Sequence, residues 1–132
     1  MSDVALHLVD HVIPHVPVRQ WVCSLPYQLR YLLGYDRKLC AAVVHAIELQ
    51  VMAGYKRRAK QYLGLQSVAL AHPGAVTFVQ RFDSALRLNV HPHMLALDGV
   101  YLRDEQSGEL RFAALPEPTQ DEMTEVARRI AE

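Results

Sequence analysis

The sequence predicts one α+β domain, because strand-like and helix-like hydrophobic patterns follow one another along a chain of ordinary domain length. The chain has 132 residues, which is enough for one hydrophobic core but too few for two. Hydrophobic residues make up 51% and charged residues 21%, the balance of a folded protein rather than a disordered one. No apolar stretch approaches the length of a membrane span.

The N-terminal part is expected to start with an arm over residues 1–17. Pro14 and Pro17 restrict the residues that precede them to extended conformations. The pattern of residues 18–25 is then typical of a strand, which ends at Pro26.

Two helices are predicted to follow this strand. Residues 27–34 carry leucines at helical spacing, and Asp36 can cap a second, longer helix that runs to about Tyr62. Gly54 is a weak point of that helix, because glycine costs about 1 kcal/mol relative to alanine in a helix interior. The apolar stripe of the longer helix is expected to comprise Leu39, Val43, Ala46, Ile47, Met52 and Tyr55.

Two β-hairpins are predicted in the C-terminal half. Residues 75–82 and 86–97 have the strongest strand patterns, and a short polar break joins them. Residues 100–103 and 110–113 flank a polar turn and form the second hairpin.

The end of the chain carries a helix start signal. Thr119 followed by Glu122 is a capping box, which predicts a helix over residues 121–131. We therefore divide the chain into an arm at 1–17, a core at 18–115 and the start of a C-terminal helix at 116–132.

His91 and His93 are the first candidate metal ligands. They stand two residues apart in a predicted strand, so both side chains point to one face of the sheet. Two imidazoles can converge on one divalent ion and leave positions open for a third protein ligand, water or substrate. The alternative is a pair of surface histidines on a half-exposed strand.

Gln80 is the candidate third ligand. If the hairpin turns around residues 83–86, position 80 lies opposite 89 and position 78 lies opposite His91, which puts Gln80 on the histidine face, diagonal to His91. Its amide oxygen can then complete a three-ligand site. A slip of one residue would move Gln80 to the other face, where it would be a solvent-facing polar residue.

The zero net charge hides a strongly basic middle section. Between residues 19 and 60, eight basic side chains stand against two acidic ones, a local charge of plus six. Such a section can bind a phosphate backbone without sequence preference, although a solvated helix face is the simpler interpretation. The candidate DNA-binding residues are Arg30, Arg37, Lys38, Lys56, Arg57, Arg58 and Lys60.

Three tyrosines recur every four residues along the first predicted helix, at Tyr27, Tyr31 and Tyr35. A tyrosine can attack a phosphodiester as a nucleophile. The interpretation that we favour here is packing into the core.

Two long segments, VPVRQWVCSLPYQLRYLLGYD and AVTFVQRFDSALRLNVHPHMLALDGVY, resemble a known family. They are similar to the two-tyrosine rolling-circle insertion-sequence transposases of the HUH endonuclease superfamily, which is named for a His-hydrophobic-His motif. The resemblance covers the chain from about Pro14 to Leu115.

The resemblance implies a sheet of about five antiparallel strands flanked by helices, with the motif on a central strand. It also implies that His91 and His93, with a third polar ligand for which Gln80 is our candidate, bind Mg²⁺ or Mn²⁺. In this family the metal polarises a phosphate of single-stranded DNA at the transposon ends, and a tyrosine attacks it. The nucleophilic tyrosines follow the motif, whereas Tyr101 is the only tyrosine after His93 here. We therefore expect a truncated chain that lacks its nucleophile.

Three functional hypotheses stay open. The first is a metal-dependent domain for nicking single-stranded DNA in transposition. The second is a non-catalytic DNA-binding remnant of such a transposase. The third is a metal-dependent hydrolase, for which Asp98 is the one nearby carboxylate. Two cysteines without zinc-site spacing fit a reducing compartment, which predicts the cytoplasm. The resemblance to insertion-sequence transposases implies a bacterial cytoplasm.

Overall fold

The computed structural model describes residues 15–82, 85 and 88–131 of the chain. Most of the predicted arm and the break at residues 83–84 lie outside the described residues. The elements are β1 (Val18–Val22), α1 (Tyr27–Tyr35), α2 (Arg37–Leu63), a short 3₁₀ turn (Val68–Leu70), β2 (Ala75–Phe82), β3 (Leu88–Leu97), β4 (Gly99–Arg103), β5 (Leu110–Ala114) and α3 (Gln120–Ala131).

The two N-terminal helices meet at Asp36, as the sequence predicts. The Asp36 backbone N–H donates to the Leu32 carbonyl at 3.0 Å, while its carboxylate accepts from the Leu39 backbone N–H at 3.0 Å. One residue therefore ends α1 and caps α2. The far end of α2 is closed by Gly64, whose φ of 65° suits a glycine.

The α+β fold class is confirmed, but the five strands form two sheets rather than one. Strands β1, β3 and β2 form an antiparallel sheet with β3 in the centre, and β4 pairs with β5 separately. The chain changes sheet at Asp98, between β3 and β4. A Cβ at Gly99 would collide with the Ala113 carbonyl, so only glycine allows the two strands of the second sheet to approach this closely.

The core lies between the three-stranded sheet and the helices. Alternate residues of β3 are buried, from Val90 to Ala96, and they join one apolar cluster with Ile47 and Val51 of α2. Trp21 of β1 lies opposite Met94 in the sheet and donates its indole N–H to the Tyr55 hydroxyl of α2 at 3.0 Å. This face of the sheet therefore carries α2.

Helix α3 packs on α2 at Gly54. A Cβ on Gly54 would come within 2.9 Å of the Val126 side chain, so the predicted weak point of α2 is the place where α3 approaches it. The predicted capping box is present: Glu122 accepts from the Thr119 backbone N–H at 2.8 Å, and Thr119 accepts from that of Glu122 at 3.1 Å.

The predicted apolar stripe of α2 is only partly right. Ile47 and Tyr55 are buried as expected, but Ala46 is exposed. Val51 and Arg58 are also buried on α2. Both the strands and α3 pack against α2, so its buried residues do not form a single stripe. None of the described helices is long and apolar enough to cross a membrane.

Candidate metal and nucleic-acid site

His91 and His93 lie side by side on the central strand β3. Their ring centroids are 4.7 Å apart, with an angle of 52° between the ring planes. Both are half-buried, while Pro92 between them and Met94 after them are buried towards the helices. The two imidazoles therefore project from the face of the sheet that is opposite to α2.

Pro92 stands in the middle of the motif without breaking the central strand. Its carbonyl accepts from the Cys23 backbone N–H at 3.3 Å, so the hydrogen-bonding edge of Pro92 faces β1. The last pair between β1 and β3 is Val22 with His93. The missing N–H of Pro92 thus falls just beyond the end of β1, where the ladder stops.

Gln80 pairs directly with His91, and Phe78 with His93. The predicted register placed position 78 opposite His91, so it was wrong by two residues. A shift of two preserves the face of every side chain, which is why Gln80 still shares the face of the histidines. The Gln80 amide nitrogen donates to the Phe82 carbonyl at 3.1 Å, which leaves the amide oxygen as the atom for a metal.

Gln20 of β1 is a site residue that the sequence interpretation missed. Its amide group, through Nε2, contacts Nδ1 of His93 at 2.9 Å, although 73 positions separate the two residues. No local sequence signal indicates this contact, because it depends on the register between β1 and β3, in which Val22 pairs with His93.

This contact controls which nitrogen of His93 is available. If the Gln20 amide nitrogen donates to Nδ1, the proton of the neutral ring resides on Nε2. If the amide is turned over, its oxygen accepts a proton from Nδ1, and Nε2 presents a lone pair. Nε2 of His93 is buried without a hydrogen-bond partner among the described residues. A second-shell hydrogen bond to the other nitrogen is the usual way in which a metal-binding histidine is oriented.

The surroundings of His93 favour its neutral form. Burial lowers the pKa of His93, and the neighbouring His91 lowers it further. Neutral imidazole is the form that binds metals. The effect favours a ligand-ready ring near neutral pH.

The possible metal ligands at the histidine pair are the imidazole nitrogens of His91 and His93 and the side-chain amide of Gln80. The described residues contain no group of three or more His, Cys, Asp and Glu side chains that could hold a metal. A divalent ion here would therefore rest on the two imidazoles with the amide oxygen of Gln80 as a third ligand. The buried, unpartnered Nε2 of His93 is the structural observation that fits an ion at this place.

Asp98, the carboxylate of the hydrolase hypothesis, is engaged elsewhere. Arg19 donates to its two oxygens at 3.0 and 2.9 Å, and the Tyr55 hydroxyl of α2 donates to it at 3.2 Å. The carboxylate therefore points to the α2 side of the sheet, away from the histidines. Its role is to join β1, α2 and the bend between the two sheets.

The basic residues of the middle section do not form one surface. Arg58 is buried, where it donates to the Pro116 carbonyl, lies 3.8 Å from Glu122 and stacks over the ring of Tyr55. Arg30 donates to the Leu25 carbonyl at 3.0 Å.

Arg57 is half-buried in the groove between α2 and α3, where burial lowers its pKa, with a smaller effect of Arg129. Lys56 is half-buried as well, whereas the side chains of Arg37, Lys38 and Lys60 are exposed. Because α2 packs on the sheet face opposite to the histidines, the phosphate contacts predicted along it lie on a different side of the molecule from His91 and His93.

Two members of the tyrosine stripe of α1 do not pack into the core, so our favoured interpretation was wrong for Tyr31 and Tyr35, while the side chain of Tyr27 lies outside the described residues. Tyr31 is 56% exposed and Tyr35 is 81% exposed. Their rings are 6.1 Å apart and tilted by 35°. The side of α1 that the core uses is the one that carries Leu33, which is 1% exposed.

Tyr101 lies in β4, in the second sheet, where its ring packs edge-on against Phe112 at 5.3 Å. The Tyr101 backbone also pairs with His72. Its position in a strand agrees with the sequence prediction.

The comparisons with known proteins give no further identification: the chain matches no family model, no curated protein and no solved structure.

Proposed function

We propose that this chain is a DNA-binding domain of the HUH transposase type, in which His91 and His93 hold a divalent metal ion against a phosphate of single-stranded DNA. The observation that carries the proposal is the pair of adjacent imidazoles on the central strand, one of which has a buried Nε2 with no hydrogen-bond partner in the described part of the chain. The resemblance of the sequence to insertion-sequence transposases supports the assignment of DNA as the ligand.

Each residue has a separate part in this proposal. His91 and His93 supply nitrogen ligands, Gln80 supplies an amide oxygen from the neighbouring strand, and Gln20 orients the His93 ring. A divalent ion, when bound, would withdraw charge from a phosphate oxygen and so make the phosphorus easier to attack. Mg²⁺ prefers oxygen ligands, which the two imidazoles do not supply.

The proposal concerns binding first and strand cleavage second, because of where the tyrosines lie. Tyr55 is buried and hydrogen-bonded between Trp21 and Asp98, and burial raises its pKa to about 12, which makes it a poor nucleophile. Tyr101 packs against Phe112 in the other sheet. The positions of Tyr55 and Tyr101 favour metal-assisted DNA binding without strand cleavage over a complete nicking enzyme.

The metal site is tested by titrating Mn²⁺ into the protein and following the free ion by electron paramagnetic resonance. The wild-type chain is expected to bind one Mn²⁺, and His91→Ala and His93→Ala are each expected to abolish binding. His45→Ala is the matched control, because it removes an exposed histidine on α2, away from the proposed site. Circular dichroism establishes that each variant is folded. Equal Mn²⁺ binding by wild type and the His91→Ala variant would refute the site.

Strand cleavage is tested with labelled hairpin DNA and Mn²⁺. A non-catalytic domain binds the DNA and leaves no covalent adduct. An adduct that disappears in a Tyr101→Phe variant would show instead that the chain carries its own nucleophile. If DNA binding falls steeply with salt but is unchanged by a chelator and by His91→Ala, the metal has no part in binding and only electrostatic contacts to phosphate remain.

A further inference from the structure

Two tyrosines of helix α1 are exposed to solvent, although their helical spacing is typical of core packing. Tyr31 and Tyr35 are 56% and 81% exposed, and Leu32 beside them is 51% exposed. The two rings contact each other and form a small aromatic surface, which we call the α1 tyrosine pair. Helix α1 also contacts β3, the strand that carries the histidines.

The charges around the α1 tyrosine pair are positive. Arg37 and Lys38 follow Tyr35 closely in the chain and are exposed. Helix α1 contains no acidic residue, and the carboxylate of Asp36 accepts the capping hydrogen bond of α2. An approaching ligand therefore meets aromatic rings with cations next to them.

We propose that the α1 tyrosine pair is a stacking surface for the bases of single-stranded DNA, with Arg37 and Lys38 contacting the adjacent phosphates. Aromatic faces flanked by cations are the usual means of binding single strands without sequence preference. The ring centroids are 6.1 Å apart and both residues are exposed, so bases can approach the rings from solvent.

This inference rests on the proposed function for the identity of its ligand, but it does not depend on the metal. Val22 ends β1 at the register of His93, and α1 begins five positions later at Tyr27, so a short segment joins α1 to this end of β1. The bases, which the metal site does not recognise, would find their contacts on the α1 tyrosine pair. Positive charge favours a nucleic acid over an apolar protein surface as the occupant.

The test compares two fluorescent oligonucleotides of equal length, a twelve-nucleotide thymidine strand and an abasic strand with the same phosphates. Fluorescence polarisation is measured in EDTA, so that the histidines contribute no metal. Wild type is expected to bind the thymidine strand more tightly, by about 5- to 150-fold for one base stacked on a ring. Tyr31→Ala with Tyr35→Ala is expected to remove this preference.

Three variants separate stacking from other effects. Tyr31→Phe with Tyr35→Phe keeps the rings and is expected to keep the preference. Tyr62→Ala, which removes an exposed tyrosine from α2, is expected to keep it too. Lys38→Ala is expected to weaken binding of both strands equally, because it removes a phosphate contact.

Equal affinity of wild type for the two strands would overturn the inference. So would a Tyr31→Ala, Tyr35→Ala variant that keeps the preference while sedimentation shows a dimer becoming a monomer, since the pair would then be an interface between two copies. A chain that binds Mn²⁺ but shows no base preference fails only this inference. A chain that prefers thymidine in EDTA but binds no Mn²⁺ fails only the proposed metal site.

Discussion

Replacing Gln20 by leucine gives the sharpest test of the proposed metal site, because it changes a residue that is not itself a ligand. The Gln20 amide contacts Nδ1 of His93 at 2.9 Å. When that contact is lost, the His93 ring can rotate and its proton can move to Nε2, the nitrogen that has to bind the ion. We expect Gln20→Leu to weaken Mn²⁺ binding without removing either imidazole.

The size of the effect follows from the position of Gln20 behind the ligand. Loss of the hydrogen-bond partner of a metal-binding histidine typically weakens metal binding about 10- to 100-fold, which corresponds to about 1.4–2.7 kcal/mol. The hydrogen bond is exposed, so its loss leaves no buried polar group behind and changes the free energy of unfolding by no more than about 1 kcal/mol. The change in metal affinity should therefore exceed the change in stability.

A second substitution at the same position determines the direction of the hydrogen bond. A carboxylate only accepts, so Gln20→Glu can hold the Nδ1 proton and direct the lone pair outward from Nε2. We expect Gln20→Glu to bind Mn²⁺ at least as tightly as wild type. Gln61→Leu, at an exposed position on α2, is the control for a general effect of the substitution.

The assay is the Mn²⁺ titration, with urea unfolding of each variant measured in parallel. If Gln20→Leu binds Mn²⁺ with wild-type affinity while His93→Ala does not bind, the contact has no part in orienting the ligand. If Gln20→Glu is as weak as Gln20→Leu, the Gln20 amide nitrogen donates to Nδ1 and the proton of the neutral His93 ring lies on Nε2.

Three further predictions concern stability. Gly54→Ala gains about 1 kcal/mol of helix propensity but brings a Cβ to within 2.9 Å of the Val126 side chain, which costs about 1–3 kcal/mol. Urea unfolding should therefore show that the free energy of unfolding falls by up to about 2 kcal/mol. In a Val126→Ala background the same change should stabilise the protein instead. Thr119→Ala removes the capping-box bond to the Glu122 backbone N–H and should cost about 0.5–2 kcal/mol, whereas an unchanged urea midpoint would show that the start of α3 contributes nothing. Burial raises the pKa of Tyr55 to about 12 from an unfolded value of about 10. The folded state therefore holds the hydroxyl proton more tightly, and the free energy of unfolding should fall as pH rises between these values. Tyr55→Phe should abolish that fall, and a fall of equal size in the variant would assign it to other groups.

Local features of the fold were predictable because neighbouring residues decide them. The double role of Asp36 depends on residues within four positions, and the capping box of Thr119 and Glu122 spans three. Strand β2 has the same bounds as predicted, Ala75–Phe82, because its composition and flanking turn residues mark both ends.

The division of the five strands into two sheets could not be predicted in the same way. It depends on the bend at Asp98, which Arg19 holds from a strand 79 positions earlier. Likewise, the burial of Arg58 depends on α3 and on the Pro116 carbonyl, neither of which the α2 sequence can show. A basic residue in a charged run resembles a surface residue until the packing of a distant helix is known.

The sequence by itself determined which face of the strand His91 and His93 share, because side chains alternate with a period of two and this survives a register error of two residues. For the same reason it placed Gln80 on the histidine face. Only the tertiary structure decided that Gln20 contacts His93, that Asp98 is engaged by Arg19 and that Tyr31 and Tyr35 lie in solvent. Alternation is a property of the backbone, whereas these contacts depend on which distant elements pack together.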